Sequence, residues 1–591
     1  MGNGIKFPVI RHPGPGGDAG GWALYGAEQT GTHWGMGVCE HCGLPQVAGP
    51  AGPSNREKAN TIANVGRERG DNLTPKTCIF PFSLFLLATL CLPGCGAGGV
   101  GEPTTAGRSS ALQLDGTALP QGSFRDVLFS GGQGSDAVIA FSPTTRYLLI
   151  PRFHQDDSGV YSFSIDFNLS AGGLGVTTAQ QQATLRPSVL PGPPDETCTR
   201  IRRREQQELR GLARPVGPVK SHVLPENAGD RHTFWILDSA DQDVQVAATN
   251  RKVGTYCFVY VQDSDWVGNA GSVTQSIVDE VAAEFDRIYP LGRDAFGGEW
   301  SPGIDGQSKI YIFLGSTVPP YGYFYGRDEL TKAQNPRSNE MEIIYISSIP
   351  WVSTETADKE NAKGTLAHEL QHLINFNQKY GKDGAFSGSV EETWVNEGLS
   401  TLAEFLVGRG LPHGIQKHFE RVQIYESAPG FFSLTTWTSL NYGVSYLFFQ
   451  YLYDWYGPGA VKAMESNAAS GTANVEAVTG RLFGDIFAEW CAANYLDSFG
   501  EVRERMYYRS IDMVGNMGGR TYNAQKLPGV AVTEIDLKSA RGASGQLPGW
   551  GCQYLRPAAR NFGDQQAASL LTTSLSDVDR RNLRATAVLG Y

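Results

Sequence analysis

The stretch that most constrains the fold is Gly364–Asn377, GTLAHELQHLINFN, because it has to form a helix with two different faces. Residues four apart in sequence lie above one another on an α-helix, which has about 3.6 residues per turn. His368 and His372 therefore share one face, with Glu369 beside them. The opposite face carries four apolar side chains: Leu366, Leu370, Leu373 and Ile374. The pattern predicts a helix that buries its apolar face and presents two imidazoles and a carboxylate on the other.

The residues on the polar face of this helix are suited to metal-assisted hydrolysis. Two imidazoles one turn apart can bind a single zinc ion at about 2.1 Å. Zinc lowers the pKa of a water molecule to about 7, and an adjacent carboxylate can take its proton and pass it to a leaving amine. We therefore predict that His368 and His372 bind Zn²⁺ and that Glu369 is the general base and acid. The alternative is a helix whose histidines are merely packed or exposed.

A third metal ligand is expected from the segment 391–406, EETWVNEGLSTLAEFL. Its apolar residues follow helical spacing: Val395, Leu399, Leu402 and Leu406. Glu397 lies on the opposite face and is the predicted ligand. Glu391 and Glu392 compete for this role, but they precede the apolar pattern and resemble first-turn acids that favour the helix dipole. Glu404 shares the face of Glu397, where it either steadies a ligand histidine or forms an ordinary ion pair.

Three blocks in a fixed order carry a resemblance to a known family: Ala367–Asn377, Glu392–Ser400 (ETWVNEGLS) and Asn441–Phe449 (NYGVSYLFF). Together they resemble the hyicolysin-type metallopeptidases, a gluzincin group, over roughly residues 230–505. The resemblance implies a zincin-like catalytic domain. It also implies the site residues: His368, His372 and Glu397 as zinc ligands, and Glu369 as general base and acid.

The resemblance raises three further points. Gluzincins use a Tyr or His donor to stabilise the oxyanion, and Tyr442, in Asn-Tyr-Gly, is favoured over Tyr446, although both could be core residues. Thermolysin-like gluzincins often carry Asp one turn after the ligand Glu, where this chain has Thr401. The support of the ligand histidines is therefore left open. The family architecture also makes the strand Glu340–Ile346 the expected edge strand for a peptide substrate.

The most apolar run of the chain, Ile79–Leu92, is fourteen residues long. A membrane-spanning helix needs about twenty, so this run better fits the hydrophobic part of a secretory signal. The following Leu-Pro-Gly-Cys resembles a bacterial lipobox with Cys95 as lipid anchor, although Pro93 departs from the usual small residue. We predict export to the bacterial envelope or beyond, with membrane contact only through this anchor. A buried hydrophobic element is the alternative.

The predicted fold class is α+β. The sequence divides into residues 1–77, a disordered or mis-assigned leader; 78–95, signal and lipobox; 96–123, linker; 124–190, small β domain; 191–230, linker or pro-region helix; 231–508, zincin-like domain; and 509–591, a C-terminal β-like region. The catalytic domain is expected to combine a mixed sheet and the active-site helix with a following helical subdomain. Its predicted elements include strands at 233–237, 256–261 and 309–314 and an amphipathic helix at 273–288. Arg200–Arg210 is interpreted as a solvated helix face, with a pro-region as the alternative.

The net charge and the cysteine content indicate which binding partners and which cross-links are plausible. The net charge of −11 disfavours nucleic acid, which needs a basic surface. Four cysteines follow the linker: Cys198, Cys257, Cys491 and Cys552. Their even number would allow disulfide bridges, although their spacing assigns no pairs, and reduced buried thiols are the alternative.

The predicted function is that of an exported zinc metalloendopeptidase whose partner is a peptide or protein substrate. Two alternatives are a non-catalytic envelope lipoprotein that uses a degenerate peptidase scaffold for binding, and a zinc hydrolase acting on a non-peptide bond. All four residues of the predicted centre are present, which favours the enzyme: His368, Glu369, His372 and Glu397.

Overall fold

The structure is a computed structural model. It describes residues 124–128, 137–141, 147–169, 182–184, 197–209, 211–215, 217–219, 226–381, 391–413, 415–497, 505–513, 527–536, 542–558, 566–571 and 582–589. The predicted leader, the signal and lipobox with Cys95, and the linker lie outside these ranges.

The strands are β1 (Phe124–Leu128), β2 (Ala137–Phe141), β3 (Tyr147–Phe153), β4 (Val160–Leu169), β5 (Gln182–Thr184), β6 (Arg231–Leu237), β7 (Asp243–Val253), β8 (Cys257–Gln262), β9 (Ile310–Gly315), β10 (Gly322–Phe324), β11 (Ile343–Ser347), β12 (Thr533–Asp536), β13 (Gly542–Pro548), β14 (Leu555–Ala558), β15 (Gln566–Leu571) and β16 (Leu583–Leu589). The helices are α1 (Thr197–Leu209), α2 (Gln275–Phe296), α3 (Ile349–Val352), α4 (Thr356–Phe376), α5 (Thr393–Leu406), α6 (Gln416–Ser427), α7 (Tyr442–Ser466), α8 (Gly471–Thr479) and α9 (Phe483–Leu496). Helix and sheet are thus mixed within the described residues.

A six-stranded sheet in the order β10-β11-β9-β8-β7-β6 forms the platform of the middle region. Strands β8, β9 and β11 are parallel, whereas β10 and the β6–β7 pair are antiparallel to their neighbours. Every residue of β8 and β9 is buried because both faces of the sheet are covered, which explains their nearly continuous apolar sequences. The predicted strands in this region and the predicted helix α2 are confirmed.

The edge of this sheet differs from the expectation. The predicted edge strand, Glu340–Ile346, corresponds to β11, which lies inside the sheet between β9 and β10. The edge strand is β10, only three residues long. The expectation was wrong because a Gly-Tyr-Phe segment is too short to show the alternation by which a strand is recognised.

Helix α4 packs between the sheet and the other helices. It contacts α2, α5 and the strands β10 and β11, and α5 in turn packs on α7. Residues Gly364–Phe376 are therefore buried on all faces, including the face that carries His368 and His372. Gly398 permits the close packing of α5 on α7, since a Cβ there would lie 2.2 Å from the Phe449 ring.

Two five-stranded sheets combine strands from both ends of the described chain, in the orders β1-β16-β3-β14-β12 and β2-β15-β4-β13-β5. From the sequence, residues 124–190 and 509–591 are expected to form separate β regions. The structure instead places β16 between β1 and β3, and β15 between β2 and β4. Pairing satisfies the backbone groups of short strands that would otherwise be exposed edges. Local sequence patterns carry no signal for partners so far apart.

Helix α1 departs from the expectation of a solvated helix face. Ile201, Arg202, Glu205 and Leu209 are buried, whereas Arg203 on the other side is exposed. Ile201 packs into the apolar cluster on one face of the central sheet. The solvated interpretation therefore holds for one side of the helix only.

The described residues also bear on membrane-spanning helices and on the cysteines. None of the helices described is long and apolar enough to cross a membrane. Three of the four cysteines that follow the linker, Cys257, Cys491 and Cys552, are buried.

Candidate active site

The structure brings His368, His372 and Glu397 together between α4 and α5. Their ligand atoms all lie within 4.8 Å of one another, and in the described part of the chain no other His, Cys, Asp and Glu side chains form such a group. His368 Nε2 is 3.2 Å from Glu397 Oε2, and His372 Nε2 is 3.6 Å from Glu397 Oε1. All three side chains are buried. The two imidazoles and the carboxylate thus surround one point, and this arrangement is compatible with zinc.

The other nitrogen of each imidazole is held by the surrounding protein. His368 Nδ1 is 3.0 Å from Glu404 Oε1, and Glu404 Oε2 is 3.0 Å from His418 Nε2. His372 Nδ1 is 3.0 Å from Asn396 Oδ1. These contacts orient both rings so that each Nε2 faces Glu397, which is how proteins usually position metal-binding histidines.

The electrostatics of the centre favour positive charge. Burial alone would lower the pKa of His368, but hydrogen bonds to Glu397 and Glu404 raise it to about 9. Burial would raise the pKa of Glu397, yet His372 and His368 hold it well below its usual value. Burial would also raise the pKa of Glu404, but His418, Lys417 and its bond to His368 hold that pKa well below its usual value. Two buried carboxylates therefore require a cation, and a proton or a metal ion can supply the charge.

Gly364 leaves room for the Glu404 carboxylate beside α4. A Cβ at this position would lie 2.7 Å from Glu404 Oε2. Glycine is unfavourable inside a helix by about 1 kcal/mol relative to alanine. Its presence here allows the carboxylate of α5 to pass close to the α4 backbone and reach His368.

The competing acids of the sequence analysis are used elsewhere. Glu391 binds Lys379 at 2.8 Å and the Asn474 side chain at 2.8 Å. Glu392 accepts a hydrogen bond from Trp394 Nε1 at 2.8 Å. Neither belongs to the His368 group.

A cleft of about 250 Å³ opens beside the centre. Glu369, 3% exposed, lines it together with His368 and Tyr442. The remaining lining includes Tyr321, Gly322, Thr365, Lys417, Glu420 and Arg421. Tyr446 does not line this cleft; it packs against the His418 ring, with 4.9 Å between ring centroids. Of the two tyrosines considered, the structure thus brings Tyr442 to the cleft.

Arg421 was not identified from the sequence. Its guanidinium lies 3.8 Å from the centroid of the Tyr442 ring, and its Nη1 is 3.9 Å from Glu404 Oε1. Arg421 therefore lies between Tyr442, which lines the cleft, and Glu404, which binds His368 Nδ1. His418 and Asn396 were also missed as partners of the centre. Arg421 and His418 are far in sequence from the histidines of α4, so no local pattern pointed to them. Asn396 directly precedes Glu397, and this was the only sequence signal for its role.

Comparison with known proteins gives one informative relative. No family model matches the chain. The chain is similar to the neutral metalloprotease ShpI of Staphylococcus hyicus, with 30% identity over 202 residues, or 32% of this chain and 44% of that protein. The match thus spans less than half of the relative's length. It supports a metallopeptidase relationship and hence a hydrolase.

Two solved structures are also similar to part of the chain. They are a conserved protein of unknown function from Bacillus anthracis str. Ames and a mutant described in the same terms. They cover 62% of this chain and 76% of their own, at 10% and 8% identity, with TM-scores of 0.24 and 0.25. TM-scores this low carry no argument about the fold.

Proposed function

We propose that the chain is a zinc metalloendopeptidase with a zincin-like catalytic domain. The observation that carries the proposal is the buried group of His368, His372 and Glu397, with Glu369 lining the adjacent cleft. The similarity to a neutral metalloprotease supports the same reaction class. A degenerate binding scaffold would be expected to lack a ligand or the base, and here all four are retained.

The three side chains fit zinc rather than a hard cation. Two imidazoles and one carboxylate form a donor set used by catalytic zinc sites, whereas Ca²⁺ and Mg²⁺ prefer oxygen ligands only. Glu397 Oε1 is buried and accepts no hydrogen bond within the described structure, so it is available for coordination. We propose that His368 and His372, each through Nε2, and Glu397 hold the ion.

When bound, zinc would act as a Lewis acid and lower the pKa of a water molecule to about 7. Glu369, next to His368 on the cleft wall, would accept the proton of the attacking water and deliver it to the leaving amine. Tyr442, which lines the same cleft with its ring centroid 6.1 Å from that of the His368 ring, is the proposed hydrogen-bond donor to the oxyanion. Arg421 would hold the Tyr442 ring in place through its cation–π contact.

The proposed test combines metal analysis with an activity assay. Protein purified without chelator is expected to contain about one zinc per chain and to cleave casein or members of a peptide library. 1,10-Phenanthroline should abolish cleavage, and added Zn²⁺ should restore it. Zinc-free protein that cleaves nothing, even after removal of any pro-segment, would contradict the proposal. Zinc-containing protein that cleaves only a non-peptide bond would favour the alternative hydrolase.

Removing the Glu404 carboxylate, which binds His368 Nδ1, should weaken zinc binding without abolishing it. Glu404→Ala is expected to lower zinc affinity by about 10- to 100-fold, because His368 loses the partner of its Nδ1. Thr401→Val is the control, since Thr401 is buried on the same helix but its hydroxyl donates to the backbone carbonyl of Glu397. Competition with a fluorescent zinc chelator measures both affinities. Equal affinities in the two variants would contradict a supporting role for Glu404.

We also propose that the protein is exported and anchored at the bacterial envelope through Cys95. Support comes from the sequence of residues 78–95 alone. An envelope location would suit a peptidase whose partner is an extracellular peptide or protein.

A further inference from the structure

Among the described residues, no strand pairs with one side of the edge strand β10. Ser347 N donates to Tyr321 O at 3.0 Å, which places Tyr321 in a hydrogen-bonded pair of the β10–β11 ladder. Backbone groups alternate along an antiparallel strand, so Tyr323 also faces β11. Phe324 consequently turns its N–H and C=O groups towards the free edge, and Gly322 turns its C=O group there, whereas Gly322 N donates to Pro320 O at 3.2 Å. An extended polypeptide could pair there by strand addition.

Helix α1 occupies the end of this free edge. The Arg202 guanidinium donates through Nη2 to the carbonyl oxygen of Phe324. The Glu205 carboxylate accepts from Gly326 N at 2.6 Å and pairs with Arg202 Nη1 at 2.6 Å. Both side chains are buried. One donor and one acceptor from α1 thus bind the last carbonyl group of β10 and a backbone N–H just beyond it, which a peptide strand extending past the end of β10 would use.

The same helix also reaches the candidate active site. Thr199, in its first turn, accepts a hydrogen bond from Trp437 Nε1 at 3.0 Å, and the Trp437 ring contacts Tyr442, with 4.9 Å between centroids. A crevice between α1 and the centre is lined by Arg202, Glu205, Gln206, His372, Asn375 and Asn396. Helix α1 therefore spans from the Tyr442 side of the cleft to the end of β10, beside His372.

Several of the contacts that hold α1 are partly exposed to solvent. Arg200 pairs with Asp241 and Arg204 with Asp243, and the side chains of Arg200 and Arg204 are 44% and 25% exposed. Exposed ion pairs contribute little to stability because water and salt screen them. Displacement of α1 would chiefly have to replace the buried contacts of Ile201, Arg202 and Glu205.

We propose that α1 is an autoinhibitory segment that occupies the substrate-binding edge of the sheet. While it is in place, an extended peptide can contact the cleft around Glu369 and Tyr442 but cannot pair with Phe324 and Gly326. Displacement of α1 lengthens the groove past His372. This inference rests on the proposed function, because it takes the free edge of β10 as the binding site for a peptide substrate.

Peptide binding in the full chain tests the inference without bond cleavage. The background is Glu369→Gln, and the probe is a fluorescein-labelled casein peptide followed by fluorescence anisotropy. The double substitution Arg202→Ala and Glu205→Ala is expected to raise the affinity for the peptide at least about fivefold, because the Phe324 carbonyl and the Gly326 N–H become available for hydrogen bonds to it. Arg203→Ala, which removes an exposed arginine from the same helix, is the control and should leave the affinity unchanged.

A second version of the protein keeps the test decisive if the double variant does not fold. Residues 220–225 are replaced by a site-specific protease sequence, and the chain is cut after it has folded. Cutting removes one of the two covalent connections of α1 and should also raise the peptide affinity. Unchanged affinity after cutting, together with no gain in a folded double variant, overturns the inference. If the variants bind the peptide as expected but the chain with Glu369 intact never cleaves it, the proposed function is contradicted instead.

Discussion

Replacing Glu369 by glutamine is expected to lower kcat/KM for peptide hydrolysis by about 10²- to 10⁴-fold, the usual contribution of a general base. The substitution keeps the size of the side chain but removes the group that accepts a proton. Glu369 lines the cleft beside His368 and is not one of the three grouped ligand side chains. Zinc content should therefore remain that of the wild type. Initial rates on a fluorogenic peptide and metal analysis on the same sample measure the two quantities.

Glu355→Gln is the matched control for this substitution. It makes the same chemical change at the exposed N-cap of α4, about 20 Å along the helix axis from Glu369. Its activity should equal that of the wild type. If Glu369→Gln retained wild-type activity, another group would have to serve as the base. If it lost both activity and zinc, the residue would act in metal binding rather than in proton transfer.

Replacing Glu397 by alanine is expected to cause the largest loss of metal. A residue that only supports a ligand typically costs 10- to 100-fold in metal affinity. The loss of a ligand should therefore exceed about 10²-fold and abolish activity at ordinary zinc concentrations. The side chain is fully buried between His368 and His372, so water does not easily replace it. Zinc per chain after gel filtration, measured by mass spectrometry, gives the result.

Glu392→Ala separates the two acids that the sequence left in competition. Glu392 bonds to Trp394 and lies outside the histidine group, so this variant should retain its zinc. Metal loss from Glu392→Ala with none from Glu397→Ala would reverse the assignment of the third ligand.

The residues of the candidate centre were predictable because helical spacing is a local property. His368, His372 and Glu369 follow from one turn of a helix, and Glu397 follows from its position opposite the leucines of the next helix. The structure brings the two histidines and Glu397 together as the pattern suggested. The sequence did not decide whether Glu404 binds a ligand histidine or forms an ordinary ion pair. It does not show that Gly364 leaves space for the Glu404 carboxylate next to His368.

The remaining features depend on contacts between distant parts of the chain. The cation–π contact of Arg421 with Tyr442 joins two helices, and the edge position of β10 depends on strand order rather than on its own three residues. The buried Arg202–Glu205 pair looks in sequence like any charged helix face. In each case the deciding partner lies outside the local window in which hydrophobic periodicity can be recognised.

The interleaved β sheets have a consequence for the order in which the chain acquires its structure. Arg152 donates to Thr586, which lies 434 residues later, and β16 fills the space between β1 and β3. During synthesis or translocation, the early strands must therefore wait for the last ones, while the helices around the metal ligands can form before them. Long-range strand pairing is slow and leaves unpaired edges exposed in the meantime. The two interleaved five-stranded sheets are thus the part of this protein expected to depend most on a chaperone.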